Sequence, residues 1–423
     1  MSRRWITLSV LIVTFLVALE GTVISTAMPR VVQELGGTEY YRWAFSAYLS
    51  ALTVTGMVWG RLADARGLKL CYLASVGVFL LGSLGCGSAP TMPWLVASRA
   101  LQGIGGGGLT PLGQLALAQI YSPQERAKIQ GLLVSVFGIS SILGPPLGGI
   151  IVENWDWRWV FWLNLPFGLV GGLLLALFYP RGGAAGRSVD WLGAGLFCAW
   201  VGSMLWLFAG TLWALPLFAL TSWAVSRWGR GFLPLDLWGI PYVRTTSGVL
   251  VMIGMGVFAC VNFLPLHLQS HFGQSGAQSG RSMLPLMVSW IVSSALAPSW
   301  SLRWGSRPLV GAGCLSLWLA YGLLARGDSL ELVWLAGALV GLGGGLTFSP
   351  VMLSVQNVVP APLLGSAIAG VSCLRMLGAA CGTALLGLWI HAAPRTAFEV
   401  GWGLATVGVL GWLRMSGDDR KRT

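Results

Sequence analysis

Charged residues are scarce in this sequence of 423 residues: only 9% are Asp, Glu, Lys or Arg, whereas 55% are hydrophobic. A soluble domain carries about 25% charged residues, so a chain of this composition does not cover a water-facing surface. The mean hydropathy of +0.73 points the same way. The composition therefore predicts an integral membrane protein and excludes a soluble globular domain.

Motifs that carry chemistry are missing as well. None of the seven cysteines belongs to a C-x-x-C pair, and all lie in apolar stretches, which is typical of small buried side chains. No G-x-S-x-G, H-E-x-x-H or G-K-[ST] pattern occurs. The string GIGGGG (103–108) matches G-x-G-x-x-G, but no strand precedes it, and close helix packing explains its small residues better. We therefore expect no enzymatic activity, no cofactor and no bound metal.

Long apolar runs are what the sequence has instead. A helix crosses the hydrocarbon core with about 20 apolar residues, and lipid excludes unpaired strands. This criterion predicts about fourteen spans, at 5–27, 42–60, 70–88, 94–120, 129–151, 159–179, 190–208, 210–226, 245–268, 282–301, 308–325, 331–354, 362–390 and 396–413. The first run resembles a signal peptide, but its length and the many later runs favour a span. The interval 190–226 forms either one long helix or two shorter helices around Gly210.

The distribution of basic residues distinguishes these two alternatives. With two spans in 190–226, the whole basic excess falls on one side of the membrane, as the positive-inside rule requires for the cytoplasmic side. We therefore expect two spans, a bacterial-type inner membrane and both termini in the cytoplasm. The net charge of +12 is then an orientation signal, and nucleic acid is not an expected partner.

Two similar strings indicate an internal repeat. GRLADARGLK (60–69) joins spans two and three, and PSWSLRWGSR (298–307) joins spans ten and eleven. The match predicts duplicated halves at residues 1–180 and 243–423, with two added spans and a cytoplasmic linker in 181–242. Duplicated halves around a central site are typical of secondary transporters.

Three ionisable residues lie well inside predicted spans: Glu20, Arg99 and Arg375. A charge at a helix centre costs about 2.5–3.5 kcal/mol on insertion scales, so each must face a polar cavity, meet a partner or be neutral. Three interpretations of Glu20 stay open: an ion-coupling carboxyl, a structural pair with an arginine, or a side chain that reaches the interface. Arginine does not deprotonate, so Arg99 and Arg375 are candidate partners or anion holders, and Arg375 is alternatively a packing bridge.

These residues lie in strings that resemble the fourteen-span drug/proton antiporters of the major facilitator superfamily. The resemblance is carried by LEGTVISTAMPRVVQELGG (19–37), GRLADARGLK (60–69), SRALQGIGGGG (98–108), GISSILGPPLGG (138–149), WRWVFWLNLP (157–166), FLPLHLQ (263–269) and CLRMLGAACGTALLG (373–387). It is most specific in the first 170 residues or so. The fold that it implies is an all-α polytopic membrane protein with two six-helix bundles and two extra central spans.

The resemblance also implies residue roles. Glu20 stands where the family usually has Asp, and Arg99 stands at the span-four arginine linked to proton movement. Conformational gating falls to Gly60, Asp64, Gly67, Lys69 and Arg126. The span-five antiporter motif, for which a packing kink is the alternative, falls on Gly144, Pro145, Gly148 and Gly149. Ala65 and Leu68 replace basic residues of the family's loop, which weakens any charge relay there.

We therefore expect a secondary transporter in the lipid bilayer that exports a small amphipathic compound in exchange for protons by alternating access. No obligate protein partner is implied. One alternative is an exporter of an endogenous metabolite, which needs the same kind of apolar cavity. Another is a receptor or scaffold with a transporter fold, for which replacing Glu20 and Arg99 leaves function intact.

Overall fold

The computed structural model describes residues 2–180, 190–208, 214–229, 237, 240–326, 329–390 and 394–413. All regular secondary structure within these ranges is helical. The first part of the chain forms α1 (Ser2–Leu35), α2 (Tyr41–Arg66), α3 (Leu68–Gly87), α4 (Met92–Ile120), α5 (Pro123–Asn154), α6 (Trp159–Trp162), α7 (Asn164–Phe178), α8 (Trp191–Phe208) and α9 (Leu215–Trp228). The second part forms α10 (Pro241–Phe272), α11 (Gly276–Ser282), α12 (Leu284–Trp304), α13 (Ser306–Arg326), α14 (Leu330–Val358), α15 (Leu364–Ile390) and α16 (Pro394–Leu413).

Helix starts are marked by polar caps where the sequence provides them. Ser122 accepts a hydrogen bond from the Glu125 backbone N–H, and the Glu125 carboxylate accepts one from the Ser122 N–H. Ser275 and Gln278 make the same reciprocal pair before α11. Such capping boxes satisfy backbone donors that the first helical turn leaves free.

Nine helical segments of the described part are long and apolar enough to cross a membrane. They are Ser2–Ile24, Leu68–Gly87, Trp159–Phe178, Tyr242–Phe272, Gln278–Trp304, Ser306–Arg326, Leu330–Val358, Ala361–Thr383 and Thr396–Leu413. Each predicted span overlaps a helix, but the count of fourteen is not confirmed. Helices α2, α4 and α5 are not among these nine segments, and α8 and α9 are only 18 and 14 residues long.

The helices of each half pack mainly on one another. In the first half, α1 packs on α5 and α7, while α4 packs on α2 and α3. In the second half, α14 packs on α12 and α13, and α10 packs on α15 and α16. The two halves meet along two seams, α5 against α12 and α2 against α15. Smaller contacts between the halves join α4 to α15 and α5 to α14.

The interval 190–226 contains two helices that pack on each other, and α8 also contacts α2 and α15. Gly210, much of the 181–242 linker and the basic segment 414–423 lie outside the described residues. The domain boundaries at 180 and 243 stay predictions.

The string GIGGGG lies inside α4, away from any strand-to-helix turn. A Cβ atom placed on Gly105 would collide with the backbone of Phe79 in α3, and one on Gly107 would collide with Thr55 in α2. These glycines therefore allow three helices to approach closely, as small residues do in membrane bundles.

The expectation that residues 60–69 and 298–307 form loops is wrong. Helix α2 continues to Arg66 and α12 continues to Trp304, so each connection is a single glycine. Gly67 has φ of 93° and Gly305 has φ of 83°, a region that glycine enters without steric cost. The aligned glycines of the sequence repeat therefore make the same sharp connection in both halves.

Candidate functional site

The carboxylate of Glu20 and the guanidinium of Arg99 form a direct ion pair between α1 and α4. Both residues are only 1% exposed; Glu20 lies near the middle of α1, and Arg99 lies about two turns from the start of α4. The pair excludes the interpretation in which Glu20 reaches the membrane interface. It matches the interpretation in which Glu20 has an arginine partner.

Neutral polar groups surround the ion pair. The Asn164 amide of α7 donates to Glu20 Oε2 at 2.7 Å, and Arg99 Nη1 donates to Gln102 Oε1 at 2.6 Å. Gln102 Nε2 donates to the Ser83 hydroxyl of α3 at 2.8 Å. The network therefore joins four helices of the first half, and its members are all buried.

Arg99 has further partners on α2. Its Nε donates to the carbonyl of Ala44 at 3.1 Å, and its guanidinium lies 4.1 Å from the ring centre of Tyr48. A buried ion pair is tolerated only when hydrogen bonds satisfy its remaining donors and acceptors. In this conformation the pair is closed to solvent.

Two glycines of the span-five motif set the crossing of α5 over α1. A Cβ atom on Gly144 would collide with Thr22 Oγ1, and one on Gly148 would collide with Thr26 Oγ1. Gly149 has open space at the same position, and α5 continues through Pro145 as a helix. The crossing lies within two turns of Glu20, so a change at the ion pair and a change at this crossing act on the same part of α1.

Asp64 links the two halves at one end of the molecule. Its carboxylate accepts hydrogen bonds from the backbone N–H groups of Gly365 at 2.9 Å and Ser366 at 2.8 Å, and from the Ser366 hydroxyl. These groups form the first turn of α15, where free N–H groups and the helix dipole favour an anion. Burial raises the pKa of Asp64 above its ordinary value, although the hydrogen bonds from Ser366 and Gly365 oppose that effect.

Among the remaining gating residues, Arg126 and Gly60 contact the second half, whereas Lys69 makes its hydrogen bond within the first half. Arg126 Nη1 crosses between the halves and donates to the Gln356 carbonyl and to Asn357 Oδ1, both at 2.9 Å. At Gly60, a Cβ atom would collide with Ala369 of α15, so this glycine allows the close contact beside Asp64. Lys69 instead donates to the Tyr179 carbonyl at 2.8 Å, within the first half.

Arg375 lies apart from both clusters, near the middle of α15. Its guanidinium is 4.5 Å from the ring centre of Phe348 in α14 and 5.3 Å from that of Phe258 in α10. No ion pair or hydrogen bond to its side chain occurs among the described residues, and its Nε is buried without a partner. The structure therefore does not bring Arg375 to Glu20, whose partner is Arg99.

Sequence reasoning missed several members of these clusters. Asn164 lies within WRWVFWLNLP, where an amide inside an apolar run was an available signal. Ser83, Gly365 and Ser366 are small residues like many others in the chain, and only the packing of distant helices distinguishes them. The part of the chain that the structure describes contains no group of three or more His, Cys, Asp or Glu placed to hold a metal ion.

Comparisons with known protein sequences identify a family. A sequence model of the Major Facilitator Superfamily matches residues 10–383. The multidrug transporter protein MdtP of Bacillus subtilis is 31% identical over 421 residues, which cover 92% of this chain and 76% of MdtP. Multidrug resistance protein 3 of the same organism is 26% identical, with 91% of this chain and 79% of the relative covered. The uncharacterized MFS-type transporter Rv1877 of Mycobacterium tuberculosis is 31% identical over 91% of this chain, which spans 59% of that relative's length.

Solved structures agree on the fold. The human organic anion transporter MFSD10 superposes with a TM-score of 0.73 at 16% identity, covering 97% of this chain and 99% of the other. The proton:xylose symporter XylE superposes with a TM-score of 0.71 at 15% identity, covering 98% and 96%. At such identities the likeness shows the fold alone. Together with the match over residues 10–383, it means that this multi-pass membrane protein belongs to the Major Facilitator Superfamily of transporters.

Proposed function

We propose that this transporter exports small amphipathic compounds in exchange for protons by alternating access. The observation that carries the proposal is the buried Glu20–Arg99 ion pair between α1 and α4 of the first half. The names of MdtP and multidrug resistance protein 3 support a substrate range of this kind. The residue roles implied by the drug/proton antiporter branch, with its fourteen spans, belong to the same proposal.

Proton coupling follows from the chemistry of the pair. Protonation of Glu20 removes the charge that compensates Arg99, and a buried cation without its partner is strongly destabilised. The guanidinium then depends on the Gln102 side chain and the Ala44 carbonyl, which are neutral acceptors. The first half must rearrange to hydrate or re-pair the charge, and the close α1–α5 crossing passes that movement to the helix that contacts the second half.

Gating follows from the contacts between the halves. Asp64 and Arg126 both bridge the halves at the end where α2 meets α3, which the basic residues predict to be cytoplasmic. A transporter held together at this end is closed to the cytoplasm and releases substrate on the other side. Opening toward the cytoplasm requires these hydrogen bonds to break.

The proposal is tested by transport in inverted membrane vesicles of a bacterial host. Cationic, neutral and anionic fluorescent amphipathic dyes are supplied outside, and uptake is followed with and without a protonophore. Glu20→Gln is expected to lose proton-driven uptake, whereas Glu20→Asp, which keeps an ionisable carboxyl, retains part of it. Glu34→Gln is the matched control, because Glu34 lies on the same helix but pairs with Arg158 at the protein surface.

Each variant is compared at equal amounts of folded protein, measured by size-exclusion chromatography and thermal unfolding. Equal protonophore-sensitive uptake by the wild type and Glu20→Gln removes Glu20 from the mechanism. Absence of transport of every dye by the wild type contradicts the multidrug proposal and favours a dedicated metabolite exporter or a receptor with this fold.

A further inference from the structure

Among the described residues, no acid pairs with Arg375, which lies near the middle of α15 in the second half. Its helix α15 contains no Asp or Glu, and neither do α10 and α12, on which the neighbouring aromatic side chains lie. Helix α14 has one acid, Glu331, in its first turn. At a rise of 1.5 Å per residue, that acid is roughly 25 Å along the axis from Phe348.

No described acid of the facing half pairs with Arg375 either. On the helices of its inner face, the mid-depth acid is Glu20, which Arg99 and Asn164 engage inside the first half. Asp64 is engaged by α15 at its first turn. A charge inside a membrane is expensive and normally meets a partner or a substrate pathway. Arg375 therefore has no counter-charge among the described residues, and its Nε has no hydrogen-bond partner there.

The surroundings of Arg375 form a polar and aromatic surface on the inner face of the second half. Phe258 and Phe348 lie beside the guanidinium, and Trp290 of α12 packs edge-on against Phe258 at 5.8 Å between ring centres. All three rings are partly exposed, although they lie within long helices. Trp290 lies on α12, which contacts α5 of the first half, and Phe348 lies on α14, which also contacts α5.

Asn262 gives independent evidence that this face meets a polar space. It is exposed one turn beyond Phe258 on α10, and its amide donates to the Thr383 hydroxyl of α15 at 3.0 Å. Thr383 lies two turns beyond Arg375 on the same helix. An exposed amide at this depth is costly against lipid and favourable against a water-filled cleft.

We propose that Arg375 binds the anionic group of the exported compound, while Phe258, Phe348 and Trp290 bind its apolar body. The substrate class is then amphipathic organic anions, such as aromatic carboxylates, sulfonates or phosphates. This proposal rests on the proposed export function and names its substrate. A guanidinium suits such groups because its planar donors bind two oxygens at once, and aromatic faces on either side hold it in place without neutralising it.

Equilibrium binding tests the proposal without any ion gradient. The purified transporter in lipid nanodiscs is titrated with 2-naphthoate and its neutral analogue 2-naphthamide, and with 2-naphthalenesulfonate and 2-naphthalenesulfonamide. The wild type is expected to bind each anion about 10- to 100-fold more tightly than its neutral analogue, the range of a charged hydrogen bond. Arg375→Gln is expected to remove that preference, and Arg375→Lys to keep part of it.

Arg326→Gln is the matched control, because Arg326 also lies over an aromatic ring, that of Trp402, but at the exposed end of α13. It is expected to leave the preference for anions unchanged. Phe348→Leu is expected to weaken binding of the anions and of their neutral analogues by a similar factor. Thermal unfolding of each variant establishes that the binding protein is folded.

Two results overturn the proposal: a wild type that binds no anion more tightly than its neutral analogue, or an Arg375→Gln variant that keeps the preference. Proton-driven dye export together with either result leaves the proposed function intact and removes only the anionic substrate class. Anion preference that depends on Arg375, without proton-driven export, removes the proposed coupling and keeps the binding site.

Discussion

At the residue scale, the central feature is that a buried charge is stable only with its partner. Arg99 and Glu20 are fully enclosed, and each meets neutral hydrogen-bonding groups besides the other. Replacing one member leaves the other as an uncompensated charge, whereas replacing both leaves a neutral polar cluster. The cost of a substitution here therefore depends strongly on what the partner is.

This asymmetry predicts non-additive stabilities. Arg99→Gln is expected to lower the free energy of unfolding by about 3–5 kcal/mol, and Glu20→Gln in the same chain is expected to restore part of that loss. The measurement is thermal unfolding of the two single variants and the double variant in one lipid or detergent system. Arg158→Gln, which breaks the half-exposed pair with Glu34, is the control and is expected to cost no more than about 1 kcal/mol. Losses that simply add would contradict a direct coupling between Glu20 and Arg99.

Arg375 shows which features of a buried charge can be predicted from the sequence and which depend on the fold. Its type and depth in the sequence indicated a cavity charge or a packing bridge. The identity of its neighbours depends on three other helices, and no local pattern in CLRMLGAACGTALLG names Phe258 or Phe348. The same limit applies to Ser83, whose contact with Gln102 joins α3 to α4.

At the element scale, the α1–α5 crossing separates glycines that look equivalent in the sequence. Gly144 and Gly148 face α1 with no room for a Cβ atom, whereas Gly149 has open space. The motif GPPLGG therefore contains positions with different structural demands. Sequence resemblance assigned one role to all of them, because the side of the helix that each glycine occupies depends on tertiary packing.

A matched pair of substitutions tests this difference. Gly144→Ala is expected to destabilise the protein, because the new methyl group would collide with Thr22 and force α5 away from α1. Gly149→Ala is expected to be neutral or to stabilise by up to about 1 kcal/mol, because alanine favours helix over glycine. Thermal unfolding of both variants in the same lipid provides the comparison. A larger loss of unfolding stability for Gly149→Ala than for Gly144→Ala would show that the α1–α5 crossing does not determine the effect of these two substitutions.

At the scale of the whole molecule, the sequence predicted the architecture well because bilayer physics leaves few choices. Apolar runs long enough to span must be helical, and each predicted span overlaps a helix of the described chain. The boundaries were less well predicted. Residues 60–66 belong to α2, because a helix continues beyond the hydrocarbon wherever a polar segment can still hydrogen-bond along its backbone. The Glu20–Arg99 pair was foreseeable because mid-depth charges are so few, whereas the bridge from Asp64 to α15 depends on how the two halves meet.

Asp64 and Arg126 both bridge the two halves at the same end of the molecule. Arg126 connects the halves through Gln356 and Asn357, whereas Lys69 donates its hydrogen bond to the Tyr179 carbonyl within the first half. Cys373 of α15 is 6% exposed and lies 3.9 Å from the Thr53 carbonyl of α2, so its thiol reports on the seam between the halves. In a chain whose other cysteines are replaced by alanine or serine, Arg126→Gln is expected to speed maleimide labelling of Cys373.

Lys69→Gln is the control for that experiment and is expected to leave the labelling rate close to that of the parent chain. Opening at one end requires the hydrogen bonds between the halves to break, and the hydrogen bond of Lys69 lies within the first half. Unchanged labelling in Arg126→Gln would mean that Asp64 and the close Gly60–α15 contact hold this end closed without Arg126. Equal acceleration by both variants would mean that labelling follows loosening of the first half rather than separation of the two halves.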